Sequence, residues 1–202
     1  MISAIDALER LRDGNARFVA NESRSGSTSS QAHRAHLVDG QEPFAILLGC
    51  SDSRVPAELV FDQGFGDLFV IRVAGNIVAP SQIGSVEFAA AQFGTRLVVV
   101  LGHSLCGAIT ATLAELRGQS TTNSRNLRSI VDRVMPAVKE VLANGPPDDG
   151  TALVHEAVLA NVRASVDQLQ HGSELLEDLI QRDGLLVVGA YYSLETGIVT
   201  FL

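Results

Sequence analysis

AILLGCSDSRVPAE, residues 45–58, runs from an unbroken apolar stretch through a glycine into a cysteine and a charged loop. Its first five residues, Ala45–Gly49, do not alternate in polarity and are too few for a helix. They read as a strand buried on both faces, as in a parallel sheet. Two further runs of this kind follow, LFVIRVAG (Leu68–Gly75) and RLVVVLG (Arg96–Gly102). Between them, Ile83, Val86, Phe88, Ala89, Ala90 and Phe93 recur at helical spacing until Gly94 stops the segment. Strand, helix and strand in that order predict right-handed crossovers and a parallel sheet.

Outward from this centre, Ser3 and Asp6 form a capping pair before a periodic segment, predicting a helix over Ala4–Val19. The Ser/Gly-rich stretch Asn21–Gln31 reads as an extended or mobile connection. Beyond the third strand, a helix is predicted from Ala108 to Leu116. A second spans Leu127–Leu142, kinked or broken near Pro136. After a turn at Asn144–Gly150, Leu153, Val154, Ala157, Val158, Val162, Val166 and Leu169 mark one apolar helix face. A short helix carrying Leu175, Leu176, Leu179 and Ile180 ends at Gly184. The runs Leu185–Tyr192 and Gly197–Leu202 then read as a hairpin. The expected architecture is a single α/β domain over residues 1–202, with a mostly parallel central sheet flanked by helices. The expected strand order is 2-1-3-4 with an antiparallel C-terminal edge strand. Residues 1–40 form an N-terminal helix and arm, and 41–202 the α/β core with its C-terminal helices and hairpin.

Composition narrows the function. The 15 Lys and Arg against 23 Asp and Glu give a net charge of −8, and the basic residues are scattered, which argues against nucleic acid. No run of about 20 apolar residues is present to span a bilayer. The N-terminus lacks the apolar core of a signal peptide, so a cytoplasmic location is expected. Two cysteines in 202 residues make no disulfide framework.

Their neighbours suggest another use. Cys50 directly follows the first predicted strand; His103 and Cys106 directly follow the third, in GHSLCG. Loops at the carboxyl ends of neighbouring strands line the ligand crevice of open α/β sheets. A buried Cys is often a small hydrophobe and a lone His is often only hydrogen-bonded, so HxxC alone would be weak. A second Cys at the mouth of an adjacent strand shifts the balance toward metal. Two thiolates and one imidazole suit zinc, and three protein ligands leave one position open for chemistry. Cys106 at a helix start gains from the dipole, and Gly107 is expected to let backbone approach closely. His33 and His36 lack an acidic or Cys partner and read as a solvated face. Gly64 and Gly66 precede a strand, the reverse of a phosphate loop.

GCSDSRVPAE (Gly49–Glu58) and GHSLCG (Gly102–Gly107) together resemble the paired C-x-D-x-R and H-x-x-C signatures of bacterial β-class carbonic anhydrases. FVIRVAGN (Phe69–Asn76) and GSVEFA (Gly84–Ala89) also resemble that family, and the likeness is densest from Gln41 to Ala111. It implies one Zn2+ per subunit on Cys50, His103 and Cys106, and reversible hydration of carbon dioxide to bicarbonate by zinc-bound hydroxide. Asp52 would either pair with Arg54 and orient that hydroxide, or turn inward as a fourth metal ligand. Gln41 would bind substrate, commonly across a subunit boundary, and Phe69, Ala74 and Phe88 would line the carbon dioxide pocket. A homodimer or homotetramer is implied, with the N-terminal helix reaching to the partner. Leu47 stands where members regulated by non-catalytic bicarbonate carry Trp, which argues against regulation of that kind. Rival readings are hydrolysis of carbonyl sulfide or carbon disulfide, a bicarbonate sensor, and a thiol redox protein. The last is disfavoured because the cysteines are not a C-x-x-C pair.

Overall fold

A computed structural model describes residues 2–24, 30–119, 124–145 and 150–202. Its sheet is built from β1 (Ala45–Gly49), β2 (Leu68–Arg72), β3 (Leu97–His103), β4 (Leu186–Tyr192) and β5 (Val199–Phe201). The order is β2-β1-β3-β4-β5. The first four strands are parallel, and β5 adds to β4 antiparallel as the edge. Every residue of β1 and β3 is buried. Alternate side chains supply two cores, because successive residues of a strand point to opposite faces. Ile46, Leu48, Val98 and Val100 point to one face. Ala45, Leu47, Leu97, Val99 and Leu101 point to the other.

The helices are α1 (Ala4–Val19), α2 (Gln31–His36), α3 (Ala57–Val60), α4 (Pro80–Gln92), α5 (Gly107–Leu116), α6 (Arg125–Ala143), α7 (Gly150–His171) and α8 (Glu174–Arg182). Ser3 caps α1 as expected, its hydroxyl accepting the Asp6 amide at 3.1 Å. Within the single chain, α1 lies on its own sheet, burying Ala7, Leu8 and Leu11 with Leu47 and Val99. Asn15 fastens it there. Its Nδ2 donates to the carbonyls of Val60 at 3.0 Å and Gly197 at 2.9 Å, and its Oδ1 accepts the Val199 amide at 2.9 Å.

Three local expectations change. The connection read from Asn21 to Gln31 leads into a helix, because Ser30 caps α2 by accepting the His33 amide at 3.1 Å; residues 25–29 of that connection lie outside the described residues. So do residues 146–149 of the turn expected at Asn144–Gly150. α6 runs unbroken through Pro136. Pro136 is exposed, so the carbonyl it leaves unpaired can turn to water. The second strand stops at Arg72, because Ala74–Asn76 form a 3-10 turn with φ of 71° at Gly75 and 43° at Asn76.

Close helix packing on the sheet depends on Gly102. A Cβ there would sit 2.5 Å from Val162 Cγ2 and 2.9 Å from Val158 Cγ1 of α7. Gly102→Ala is therefore expected to cost about 1–3 kcal/mol through overpacking, read as a lower urea midpoint with an unchanged slope.

Candidate metal centre

The parallel register sets Gly49 of β1 beside Leu101 of β3, so both chains leave the sheet at the same end. Cys50 is the first residue past β1, His103 closes β3, and Cys106 is the N-cap of α5. One ligand atom from each lies within 4.8 Å of the others, and all three residues are buried. Tetrahedral zinc with sulfur at ~2.3 Å requires sulfurs about 3.8 Å apart, a spacing within that bound.

The tautomer of His103 follows from its partners. Its Nδ1 lies 2.8 Å from the Ser104 carbonyl. A carbonyl only accepts, so Nδ1 carries the proton and Nε2 keeps its lone pair. Among the described residues, Nε2 is buried with no hydrogen-bond partner. A buried imidazole nitrogen left unpaired carries a desolvation cost, unless a cation takes the lone pair. The donor set thus fits a zinc ion.

The two sulfurs push each other's ionisation in opposite directions. The Cys106 thiol hydrogen bond is the largest influence lowering Cys50, to about 4, against burial and aided by His103 and the amides of Gly75 and Asp52. Cys106 is pushed up, first by its bond to Cys50 and then by burial. The helix amides of Ile109 and Ala108 do favour its thiolate, as expected at a helix start, but the neighbouring sulfur outweighs them. A cation between the sulfurs would favour the thiolate at both, displacing protons on binding. Gly107 does not serve the close approach expected of it, since a Cβ there would meet nothing within 4 Å.

The ligand loop is braced on both sides. Leu105, between His103 and Cys106, has φ of 56°, a conformation that costs a non-glycine residue roughly 1–2 kcal/mol. The Ser104 amide donates to the Tyr192 carbonyl at 2.9 Å, and its hydroxyl accepts the Leu194 amide at 2.9 Å. Across the site, Arg72 donates to the carbonyls of Cys50 at 3.0 Å and Asp52 at 2.6 Å. Gly75 donates its amide to Cys50 Sγ at 3.3 Å. Sequence reading assigned no role to Arg72, Gly75 or Leu105. Arg72 and Gly75 lay within the quoted block FVIRVAGN, but nothing in their type announces carbonyl clamping or a thiolate contact.

Asp52 and Arg54 form a two-pronged pair. Arg54 Nε reaches Asp52 Oδ1 at 2.9 Å and Nη2 reaches Oδ2 at 2.7 Å. Those bonds, first among the causes, hold the carboxyl well below the usual carboxylate range. Arg54 Nη2 also donates to the Leu105 carbonyl at 3.4 Å, tying the two ligand loops together. Asp52 Oδ2 stands 3.9 Å from His103 Nε2, at the edge of the ligand cluster.

The remaining expected residues spread out. Ala74 is half-buried and immediately precedes Gly75. Phe69 packs on the sheet face that carries Cys50. It lies 6.2 Å from Phe88 and 6.0 Å from Phe93 between ring centroids. Phe88 is 51% exposed. Gln41 is exposed and precedes the amino end of β1, whereas Cys50 follows its carboxyl end. The five strand residues between them span about 16 Å, so one chain does not bring Gln41 to its own cluster.

Among the described residues, no helix is long and apolar enough to cross a membrane. Residues 45–199 match the family model for carbonic anhydrase. Carbonic anhydrase 2 of Mycobacterium tuberculosis is 39% identical over 193 residues, covering 96% of this chain and 90% of that protein. Carbonic anhydrase of Mycolicibacterium smegmatis is equally similar, at 39% with the same coverage. Among solved structures, a tetrameric β-carbonic anhydrase of Sordaria macrospora superposes with a TM-score of 0.77 at 25% identity, over 85% of this chain and 87% of that one. A buried Cys/His/Cys cluster at the ends of two parallel strands, a match over most of the chain and a shared fold agree, and the chain belongs to the β-class carbonic anhydrase family.

Proposed function

We propose that this chain hydrates carbon dioxide reversibly, using one zinc ion held by Cys50, His103 and Cys106. The observation that carries the reading is the lone pair of His103 Nε2, buried and unpaired among two thiols. Bound there, zinc would supply the Lewis acidity that brings the ionisation of a water from ~15.7 toward ~7. The protein's part is orientation. Asp52, held ionised by Arg54, accepts a hydrogen bond and cannot donate one, so it selects and aims a nucleophile that carries a proton. Phe69 and Ala74 offer apolar surface to a small linear substrate, with Phe88 at its exposed rim. Gln41 acts in the site of a second copy, which its distance from Cys50 within one chain favours. A homodimer or homotetramer follows, in keeping with the tetrameric Sordaria macrospora neighbour.

Stopped-flow assays on metal-quantified protein test this reading. Hydration of carbon dioxide rising between pH 6.5 and about 9, a window around zinc-water ionisation, is expected. Release of sulfide from carbonyl sulfide or carbon disulfide without carbon dioxide turnover would instead favour the rival hydrolase.

Arg54→Ala gives a further expectation. Zinc should stay, because Arg54 is no ligand, while kcat/KM falls roughly tenfold, the low end of effects seen for groups that orient a metal's surroundings. Arg54 lowers the Asp52 pKa, so its removal lets that pKa rise. That rise goes only toward the ordinary carboxylate value near ~3.9, so Asp52 stays ionised across the assayed range and the deficit should be uniform there, as the pH–rate profile would record.

A further inference from the structure

α7 buries an apolar face, yet two of its buried residues are polar. Asn161 and Ser165 are each 3% exposed and stand one helical turn apart. Asn161 Nδ2 donates to the Gly75 carbonyl at 2.8 Å, and Ser165 Oγ donates to the Asn76 carbonyl at 3.1 Å. Those two carbonyls belong to the 3-10 turn whose Gly75 amide donates to Cys50 Sγ at 3.3 Å. The turn is confined from the other side as well: a Cβ on Gly75 would meet Ala108 Cβ of α5 at 2.9 Å. Both Gly75 and Asn76 have positive φ, which glycine adopts freely and asparagine more readily than most residues, so the turn's placement rests on the contacts made to it.

An N–H aimed at a thiolate draws charge from sulfur, and so tunes how strongly that sulfur donates to a metal. We propose that Asn161 and Ser165 are positioning residues for Cys50: through the Ala74–Asn76 turn they aim the Gly75 amide at its sulfur. Helix α7 thereby reaches the metal's electronic environment through the backbone of that turn. This inference rests on the zinc reading above. The hydrogen bonds of both residues go to backbone carbonyls of the same turn.

The test replaces zinc with cobalt(II) and reads the thiolate-to-cobalt charge-transfer band, alongside zinc affinity by chelator competition. Ser165→Ala and Asn161→Ala should each weaken zinc binding about tenfold, because the Gly75 amide no longer positions Cys50 and stabilises its thiolate, and should move the band to lower energy, as sulfur regains charge. Ser165→Thr keeps the hydroxyl and should restore both readouts. Val166→Ala, on the adjacent position of α7, should lower thermal stability and leave the band in place. Ser165→Ala removes one oxygen and leaves the packing volume nearly unchanged, so it remains informative even where Asn161→Ala folds poorly. An unshifted band and unchanged zinc affinity in folded Ser165→Ala would overturn the proposal, as would an equal shift in Val166→Ala. Wild-type protein that takes up neither ion would overturn the zinc reading itself, a result plainly distinct from a metal-loaded wild type with silent variants.

Discussion

Cys106→Ser is expected to remove metal and carbon dioxide hydration together while leaving the fold intact. Serine's alcohol does not ionise near neutral pH, so the cluster would keep one thiolate and one imidazole, too few for a stable zinc site. Zinc affinity should fall by more than the 10–100-fold typical of an outer-shell partner, and turnover should drop to background. The fold has reason to survive. Cys106 is the N-cap of α5, where its sulfur feels the Ala108 and Ile109 amides without a well-formed capping hydrogen bond, whereas serine is among the best N-cap residues. The metal-free variant should therefore unfold no earlier than metal-free wild type. Metal analysis, turnover and thermal unfolding on one preparation read all three effects. Retained zinc with full activity would remove Cys106 from the site.

Asp52→Asn should separate binding from turnover. Asp52 is paired with Arg54 and makes no contact shorter than 3.9 Å to His103 Nε2, so the zinc content should be unchanged. The amide can donate as well as accept, and it no longer discriminates a nucleophile bearing a proton. Turnover should fall roughly 10²-fold, the lower range for losing a positioned proton-handling group. The fall should appear in kcat more than in KM. Loss of the ion pair adds little to stability, because Arg54 is half exposed and water can replace its partner. Wild-type kcat in a zinc-loaded variant would refute the orienting role.

The strands that build the site were legible because burial on both faces leaves an unmistakable run of apolar residues. Ala45–Gly49 matches its predicted bounds, and β3 differs from its prediction by one residue at each end. The clustering of Cys50, His103 and Cys106 was legible because they stand at strand ends that parallel pairing makes neighbours. What escaped were contacts whose donors or acceptors are backbone. Arg72 clamps two carbonyls, Gly75 offers an amide, and Leu105 adopts a left-handed φ that its side chain does not advertise. Asn161 and Ser165 did leave a trace. They interrupt the apolar stripe of α7 one turn apart, and buried polar residues on an apolar face need partners. The second strand was read too long because its apolar residues run past Arg72, while backbone conformation at Gly75 and Asn76 ends the ladder.

X-ray absorption at the zinc edge, on protein purified without chelator, probes the centre itself. One zinc per chain should appear, with two sulfur neighbours near ~2.3 Å and two lighter neighbours near ~2.0–2.1 Å. No bound zinc, or zinc without sulfur neighbours, would contradict a centre built from Cys50, His103 and Cys106.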